Sequence, residues 1–398
     1  MFVETKMQKV AISNIAKQIR GVSYKPVDLH NDLNKDSVIL LRANNISDGK
    51  INFDDVVYVD KKKVSSEQYL QKGDILICAS SGSKNLVGKA ASVSFDTKCT
   101  FGAFCKVIRP VSKYANYLAI YFQSNIYRRI ISNVAIGANI NNIRNEHIDS
   151  LELSIYSDDK NNKIVSTLDK LQSIITHIRT QLEKLDLLVK ARFVEMFGDP
   201  VSNPMGWKKK NLKDVVTDDC SISYGIVQTG DEQKSGIPVF RPVDIVNHIP
   251  KLEELKKTTK EISDKYKRTI LKGRELLITV RANIADTCII GEKFKGCNVG
   301  RGIVPIRTQE NTILLEFLKN LLDNKHLNDE IKSKAKGITL IQLNMEDLRI
   351  IELIIPPIEL QKQYVSFVKQ VDKSRTAIQN ELKKAQMLFD SLMQEYFG

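Results

Sequence analysis

The sequence predicts an α+β protein in which two similar mixed α/β domains are separated by two long antiparallel coiled-coil helices. Three observations predict this fold: a repeat at an offset of 200 residues, two segments with a seven-residue apolar period, and short apolar runs elsewhere. A chain of 398 residues is also too long for one hydrophobic core, so at least two domains are expected.

The repeat covers much of each half of the chain. Residues 137–155 align with 337–355, and residues 164–198 align with 364–398, where both copies end in Phe-Gly. A period this long indicates duplication of a whole domain together with its helix, rather than a solenoid of short units.

Local composition and hydrophobic periodicity predict four segments. Apolar runs of strand length, separated by Gly, Asn and Asp, predict a first domain over residues 1–155 and a second over 201–355. The first long helix is expected within 156–200 and the second within 356–398. Proline suits a helix entrance but not its interior, so Pro356-Pro357 marks the start of the second helix.

Both helical segments carry two interleaved series of apolar residues at a spacing of seven, which is the pattern of a coiled-coil seam. We expect the two helices to bury these seam residues against each other. Arg375 occupies a seam position, and we expect it to be a polar mismatch there. The seam residues are Leu168, Leu171, Ile175, Ile178, Leu182 and Leu185 in the first helix, and Val368, Val371, Ile378 and Leu382 in the second.

Net charge points to the kind of partner. The chain carries +13, of which residues 1–150 hold +8 and residues 201–355 hold +5, while the helical segments are almost neutral. Such a balance favours a polyanionic partner such as nucleic acid, or an acidic membrane face, although a solvated basic surface without a ligand would look the same. No apolar run is long enough for a signal sequence or a bilayer span, so we expect a soluble cytoplasmic protein.

Catalytic and metal sites are not indicated by any motif. The six cysteines are scattered, without the close spacing that zinc requires, and are expected to be buried free thiols. Residues 82–90 resemble a phosphate-binding loop, but they have five residues between the glycines and alanine where Mg²⁺ needs a hydroxyl. This loop is either a plain hairpin connection or a flexible loop that contacts a nucleic acid.

Polar side chains able to contact bases or phosphates cluster at strand ends and loops of both domains. Taken singly, each is better explained by turn chemistry or a surface ion pair. Their recurrence in both copies, with different side chains, favours a shared frame that recognises two different sequences. The candidate DNA-binding residues are Arg42, Asn44, Asn45, Ser81, Ser83, Lys84, Lys98, Asn139, Asn141, Asn142, Arg144, Arg241, Asp244, Arg281, Asn283, Arg301, Lys336 and Gln342.

The order of domain, long helix, domain and long helix resembles the specificity subunit of type I restriction–modification systems. The resemblance covers essentially the whole chain. The segments most similar to that family are Phe193–Pro200, Asn203–Trp207, Lys72–Ile77, Thr100–Phe104 and Pro356–Gln363. The chain departs from the family at 156–163, where Tyr156-Ser157-Asp158 stands in place of a proline pair.

The resemblance implies a protein without catalytic activity of its own. Each domain would be a target-recognition domain for one half of a bipartite, asymmetric site in double-stranded DNA. The chain would bind two modification (methyltransferase) subunits, which carry S-adenosylmethionine and methylate adenine N6. Restriction (translocase/nuclease) subunits, which use ATP and Mg²⁺, would join them. No cofactor bound directly and no membrane partner are expected.

Two other classes remain open at the level of sequence. A coiled-coil scaffold would explain the helices but not the positive charge concentrated in the domains. A self-contained nuclease or methyltransferase would explain DNA binding, and Asp244 with Glu254 and Lys256 has the spacing of a nuclease metal site. Lysine and glutamate are so frequent in this chain that such spacings arise freely, and no other catalytic pattern accompanies this one.

Overall fold

The computed structural model describes residues 7–47, 49–83, 85–135, 141–245, 250–337 and 341–398. The chain divides into two compact units. The first unit contains Met1–Arg179 and Asn380–Gly398, and the second contains Thr180–Gln379. Each unit therefore combines one globular domain with one end of each long helix.

Among the described residues, the first unit contains short strands, short helices, the start of one long helix and the end of the other. Its strands are β1 Gln8–Ala11, β2 Ala16–Arg20, β3 Leu29–His30, β4 Ser37–Leu41, β5 Ile46–Ser47, β6 Lys50–Ile51, β7 Val57–Asp60, β8 Ile75–Cys78, β9 Ser80–Ser81, β10 Ala90–Ser92, β11 Cys99–Phe101, β12 Cys105–Pro110, β13 Asn141–Asn142 and β14 Glu152–Ile155. Its helices are α1 Ala115–Phe122, α2 Asn125–Val134, α3 Asn145–Asp149 and the first part of α4 Asp158–Phe197.

Two four-stranded sheets form the centre of this unit. One has the order β10-β8-β12-β2, with antiparallel neighbours, and the other has the order β11-β4-β7-β3, with β11 parallel to β4. Successive side chains of a strand point to opposite faces of the sheet, so β8 contributes side chains to two hydrophobic cores. Ile75 and Ile77 pack with the helices, whereas Leu76 and Cys78 pack with residues of the second sheet such as Leu41.

The second unit is built from corresponding elements. Its strands are β15 Lys209–Asn211, β16 Ile237–Phe240, β17 Lys256–Thr258, β18 Leu276–Thr279, β19 Thr287–Ile289, β20 Asn298–Val299, β21 Ile303–Ile306 and β22 Glu352–Ile354. Its helices are α5 Lys260–Asp264, α6 Leu315–Leu322, α7 Lys325–Ser333, α8 Met345–Arg349 and the first part of α9 Ile358–Phe397. The sheet orders are β19-β18-β21, β17-β16-β20 and β15-β22.

The offset of 200 residues is visible in the structure. Helices α1 and α6 differ by exactly this number at both ends, as do α3 and α8, and the long helices α4 and α9. The pairing of β18 between β19 and β21 repeats that of β8 between β10 and β12. The predicted fold class, with two similar α+β domains and two long helices, is therefore confirmed.

The long helices begin in the same way despite their different sequences. In α4, the buried Asn161 bonds through its side chain to the backbone N–H and carbonyl of Tyr156, at 3.2 and 3.1 Å. In α9, the buried Gln361 donates to the carbonyls of Pro356 and Thr312 at 2.9 and 3.1 Å. An amide at offset 200 thus fixes each entrance, and the absence of a proline pair in the first copy does not prevent the helix.

Within each unit, the start of one long helix lies beside the end of the other, so the helices run antiparallel. In the first unit, Phe397 at the end of α9 packs on Tyr117 and Tyr121, with ring centroids 4.8 and 5.7 Å apart, in a core that includes Ile164 of α4. In the second unit, Phe197 at the end of α4 takes the corresponding place against Phe317, at 5.0 Å.

The burial of the seam residues follows the seven-residue period. All ten lie on α4 or α9 and are buried or half-buried, whereas Leu187, Leu188, Met387 and Leu388, on other faces, are exposed. The buried ones are Leu168, Ile175, Ile178 and Val371; the half-buried ones are Leu171, Leu182, Leu185, Val368, Ile378 and Leu382.

The prediction for Arg375 needs correction. It forms ion pairs with Asp186 of α4, at 2.5 Å, and with Asp372 of its own helix, at 2.6 Å. Its guanidinium is therefore paired across the two helices rather than being a mismatch. The seven-residue pattern missed this because Asp186 lies outside the seam series.

Candidate nucleic-acid interface

In the first unit, β4 ends in a turn formed by residues 42–45. The fully buried Asn45 accepts a hydrogen bond from the backbone N–H of Arg42 at 2.8 Å and donates to the carbonyl of Asp55 at 3.0 Å. Arg42 forms an ion pair with Asp55 at 2.9 Å, and the exposed Asn44 donates to the same carboxylate at 2.7 Å. Asn45 thus holds the turn and offers DNA no surface, whereas Arg42 and Asn44 are accessible.

The second unit has a matching turn after β16, formed by residues 241–244. Asp244 accepts two hydrogen bonds from the guanidinium of Arg241, at 3.1 and 2.9 Å, and a third from its backbone N–H at 2.7 Å. Asp244 is therefore a positioning residue. It fixes the direction of an arginine whose side chain is almost half exposed.

A second group of candidates meets where β9 pairs with β13. Ser81 pairs with Asn141 and Ser80 with Asn142 in antiparallel register. The hydroxyl of Ser80 donates to the Asn142 Oδ1 at 2.7 Å, and the backbone N–H of Ser83 donates to the Ser81 hydroxyl at 3.1 Å. Asn141 is buried and Asn142 is exposed. We call these two paired segments, residues 80–83 and 141–142, the loop pair. It presents small, neutral polar groups.

The second unit brings together the corresponding segments but with charged side chains. Arg281 forms an antiparallel bridge with Gln342 and donates to its side-chain carbonyl through Nη2. The backbones of Lys336 and Gln342 bond reciprocally, both at 2.9 Å, and the Lys336 side chain is largely exposed. Asn283 is exposed two residues beyond Arg281. Arg281, paired with Gln342, thus takes the structural place of Ser80, which pairs with Asn142 in the first unit.

In each unit a turn connects the first group of candidates, after β4 or β16, to the second group at the loop pair; we call it the connecting turn. Sequence analysis named its residues only within the family-like segment Thr100–Phe104 and, in the second unit, as the candidate Arg301. In the first unit it comprises residues 102–105, closed by a bond from Cys105 N–H to the Gly102 carbonyl at 2.8 Å. The Gly102 N–H donates to Leu41, beside the first group, at 2.9 Å. The Phe104 carbonyl accepts from Ala79 and Ser80, in the second group, at 2.8 and 3.0 Å.

The connecting turn of the second unit comprises residues 300–303. Gly300 donates to the carbonyl of Phe240 at 2.8 Å, next to Arg241, and the Gly302 carbonyl accepts from Val280 at 2.8 Å, next to Arg281. A Cβ added to Gly302 would overlap Pro242 and approach Cβ of Arg281 to 3.4 Å. The two groups of candidates in this unit are therefore neighbours.

Three further candidates are exposed cations. Lys98 lies over the ring of Tyr69, with 4.9 Å from Nζ to the centroid. Arg301 lies within the connecting turn, with its guanidinium 5.9 Å from the ring centroid of Tyr224. Arg144 lies just beyond β13 and is paired with a neighbouring glutamate. The remaining two candidates, Lys84 and Asn139, lie outside the described residues.

Lys106 supports the loop pair of the first unit from the interior, and sequence analysis missed it. Its Nζ donates to the Ile143 carbonyl at 3.3 Å and to Asn145 Oδ1 at 2.7 Å. Burial lowers the pKa of this lysine to about 8. No sequence signal distinguishes it from the exposed lysines, because its burial depends on the packing of β12.

The expected character of the cysteines is confirmed: Cys78, Cys99, Cys105, Cys220, Cys288 and Cys297 are all free and buried. Burial raises the pKa of the thiols of Cys99 and Cys288 to about 12, so they are unreactive. Among the described residues, no group of three or more His, Cys, Asp or Glu is arranged to hold a metal ion. No helix in the described ranges is long and apolar enough to cross a bilayer.

Comparison with known families agrees with this arrangement of two similar halves. A family model described as "Type I restriction modification DNA specificity domain" matches the chain twice, at residues 6–186 and 204–386. The two matches together cover most of the chain and correspond to its two repeats.

Two curated relatives match over nearly the full length. The chain is 27% identical over 403 residues to the type I restriction enzyme StySPI specificity subunit of Salmonella potsdam, covering 96% of this chain and 86% of the relative. It is 26% identical over 412 residues to the type I restriction enzyme EcoKI specificity subunit of Escherichia coli strain K12, covering 97% and 87%.

A solved structure shares the fold. The crystal structure of a type I restriction–modification system S subunit from M. genitalium superposes with a TM-score of 0.56 at 13% sequence identity. The superposition covers 100% of this chain and 98% of that chain.

Proposed function

The chain belongs to the family of type I restriction–modification DNA specificity domains, and we propose that it is the subunit through which such a complex selects its DNA sequence. In this proposal residues 1–155 and 201–355 are two target-recognition domains, each recognising one half of a bipartite, asymmetric site. The long helices within 156–200 and 356–398 set the distance between the half-sites. Specificity subunits supply recognition, and the catalytic activity lies in the partner subunits.

The observation that carries the proposal is the pair Ser80 and Arg281. Both occupy the same place in the loop pair, since Ser80 pairs with Asn142 and Arg281 with Gln342 and each side chain donates to that amide oxygen, yet one presents a hydroxyl and the other a guanidinium. Arginine suits the acceptor pair of guanine, whereas serine accepts or donates with several bases. Two domains built in this way recognise different sequences with one backbone frame.

The candidates divide by chemistry into two kinds of contact. Long, exposed cations suit phosphates, which position the protein without sequence preference. Side chains fixed by neighbouring groups suit base edges. We assign Lys98, Arg144, Arg301 and Lys336 to phosphates, and Arg42, Asn44, Ser80, Ser81, Ser83, Asn142, Arg241, Arg281, Asn283 and Gln342 to bases. Lys84 and Asn139 lie outside the described residues and are assigned by the type of side chain alone, Lys84 to phosphates and Asn139 to bases. We assign Asn45, Asn141 and Asp244 to positioning, since they are buried or hold a neighbour.

Exposed apolar residues on the long helices support the proposal that two modification subunits bind. Leu187 and Leu188 of α4 and Met387 and Leu388 of α9 are all exposed, and the two pairs differ by 200 residues. A duplicated patch favours two copies of one partner, because each half then presents the same surface. Restriction subunits would join this assembly in the cytoplasm, and S-adenosylmethionine, ATP and Mg²⁺ would bind to the partner subunits.

Methylome sequencing of cells with and without this gene tests the proposal. One bipartite motif containing methylated adenine is expected in its presence and should disappear on deletion. Affinity of the assembled complex for that motif should also fall steeply with salt, because the basic domains release counterions from DNA phosphates. Identical methylomes, or an affinity that is constant between low and physiological salt, would contradict the proposal.

A further inference from the structure

Phe104 is an exposed aromatic side chain at the tip of the connecting turn of the first domain. It is 69% exposed, although it lies between two fully or almost fully buried residues of neighbouring strands, Phe101 and Cys105. A single exposed apolar residue is common on protein surfaces, so exposure alone assigns no role. Its location and its rigid support are the informative features.

The backbone holds Phe104 in place from three sides. The turn is closed by the hydrogen bond between Cys105 and Gly102, and the Phe104 carbonyl accepts two hydrogen bonds from β9 and the residue before it, as described above. On the other side, a Cβ added to Gly21 would overlap the Gly102 carbonyl, so the backbone just after β2 lies directly against the turn. The phenyl ring therefore projects from a fixed backbone and loses little freedom on binding.

Polar candidates for DNA contact flank the ring on both sides. The hydrogen bonds of the connecting turn join it to Leu41, the residue before Arg42, and to Ser80, whose hydroxyl bonds Asn142. Residues 1–150, which carry these groups, have a net charge of +8. An apolar ring on a turn between candidate base-contacting groups, on a basic surface, suits the interior of a base stack better than an apolar protein partner.

The second domain has a different group at the equivalent position. Its connecting turn carries Gly302 where the first carries Phe104, since both carbonyls accept the hydrogen bond from the end of the neighbouring strand. The preceding residue is Arg301 rather than Ala103. The second domain thus presents a cation and, at the place of Phe104, no side chain, whereas the first presents an aromatic ring.

We propose that Phe104 inserts between stacked bases of the first half-site, so that the first domain selects its sequence in part through the ease with which one base step opens. This inference rests on the proposed function. Opening a step costs free energy that depends on sequence, and pyrimidine–purine steps open most easily. Recognition of the first half-site would then depend on the sequence of a base-pair step that is not contacted by polar side chains.

The test uses the full chain in complex with its modification subunits and duplexes carrying the methylated motif. Phe104→Ala should weaken binding about 10- to 100-fold, the range found when a base-stacking aromatic is removed. Phe104→Trp and Phe104→Leu should retain most of the affinity, because both can still occupy an opened step. Val111→Ala, at the far end of the following strand β12 and 52% exposed, is the matched control and should have no effect.

A mismatch distinguishes insertion from a simple surface contact. A series of duplexes carries one mismatched base pair at successive positions of the first half-site, and in each the mismatched step is already easier to open. At one of these positions the mismatch should restore the affinity of the Phe104→Ala variant to within a few-fold of that of the parent. 2-Aminopurine at that position should brighten on binding the parent complex but not the variant.

Three results would overturn the inference: unchanged affinity of Phe104→Ala, an equal loss on matched and mismatched duplexes, or loss of the modification subunits from the variant complex. If instead the parent complex itself shows no preference for the bipartite motif, the proposed function fails and not merely the role of Phe104.

Discussion

The two recognition domains share a backbone frame but differ in the groups they present. The loop pair of the first carries Ser80 and Asn142, and its connecting turn carries Phe104. The second carries Arg281 and Gln342 at the loop pair and Arg301 in the turn. The parts that hold these groups are nearly the same, down to the hydrogen bonds that close each turn. Stability and specificity are thus assigned to different residues, and one can be altered without the other.

The largest expected effect comes from removing the second half of the chain. A chain of residues 1–200 lacks Phe397 and Met393, which are buried in the core of the first unit against Tyr117 and Tyr121. Each such side chain contributes about 1.5–3 kcal/mol when buried. Phe197 of a second copy, at offset 200, can fill this place, so the fragment should dimerise and direct methylation to a palindromic motif.

Sedimentation measures the state of this fragment, and methylation mapping its target. Phe197→Ala in the fragment is the control and should abolish dimerisation. A stable monomer, or a dimer with an asymmetric target, would show that the repeat is not the recognition unit.

One glycine of the second domain allows two backbone segments of the shared frame to approach closely. A Cβ on Gly225 would overlap the carbonyl of Val299 in the second domain. Backbone cannot yield as a flexible side chain can, so Gly225→Ala should lower the free energy of unfolding by about 3 kcal/mol. Gly291→Ala, where nothing lies within 4 Å, should cost less than about 1 kcal/mol. Denaturant unfolding of both variants checks this, and equal costs would contradict the role given to the close approach.

Sequence analysis predicted the repeat, the long helices and the α+β class because periodicity is visible without tertiary information. It did not distinguish Asn45, which is buried and holds a turn, from Asn44, which is exposed, because both are asparagines after a strand. For a related reason Lys106 was missed, and Phe104 was named only within a family-like segment, without a role of its own. Whether one phenylalanine is exposed or one lysine is buried depends on strand packing that no local pattern encodes.

Lys106 predicts a pH dependence specific to the first domain. In the folded chain the pKa of Lys106 is lowered to about 8, whereas the ordinary pKa of a lysine is 10.5. Between these two pH values the unfolded chain therefore binds more protons than the folded chain. The free energy of unfolding therefore rises with pH across that window, by at most about 1.4 kcal/mol per pH unit. Lys106→Met should remove this rise. Unfolding of parent and variant at about pH 7.5 and about pH 9.5 measures the difference, and an identical pH dependence in both would contradict it.

The smallest effect is expected at the ion pair between the helices. Arg375 and Asp186 are partly exposed, so their coupling should be about 0.5 kcal/mol and should decrease in high salt. A double-mutant cycle with Arg375→Leu and Asp186→Asn measures it. A coupling above about 2 kcal/mol would show that the pair, and not the apolar seam, specifies how the helices associate.

The central claim is that each domain recognises its own half-site with the groups at its loop pair. Methylation mapping in cells that carry Arg281→Ala tests it most directly, with Ser80→Ala as the matched change in the first domain. The account predicts that Arg281→Ala relaxes one position of one half-site and leaves the other half-site and the gap unchanged, and that Ser80→Ala affects only the opposite half. A change in both half-sites from either variant, or an unaltered motif from both, would contradict it.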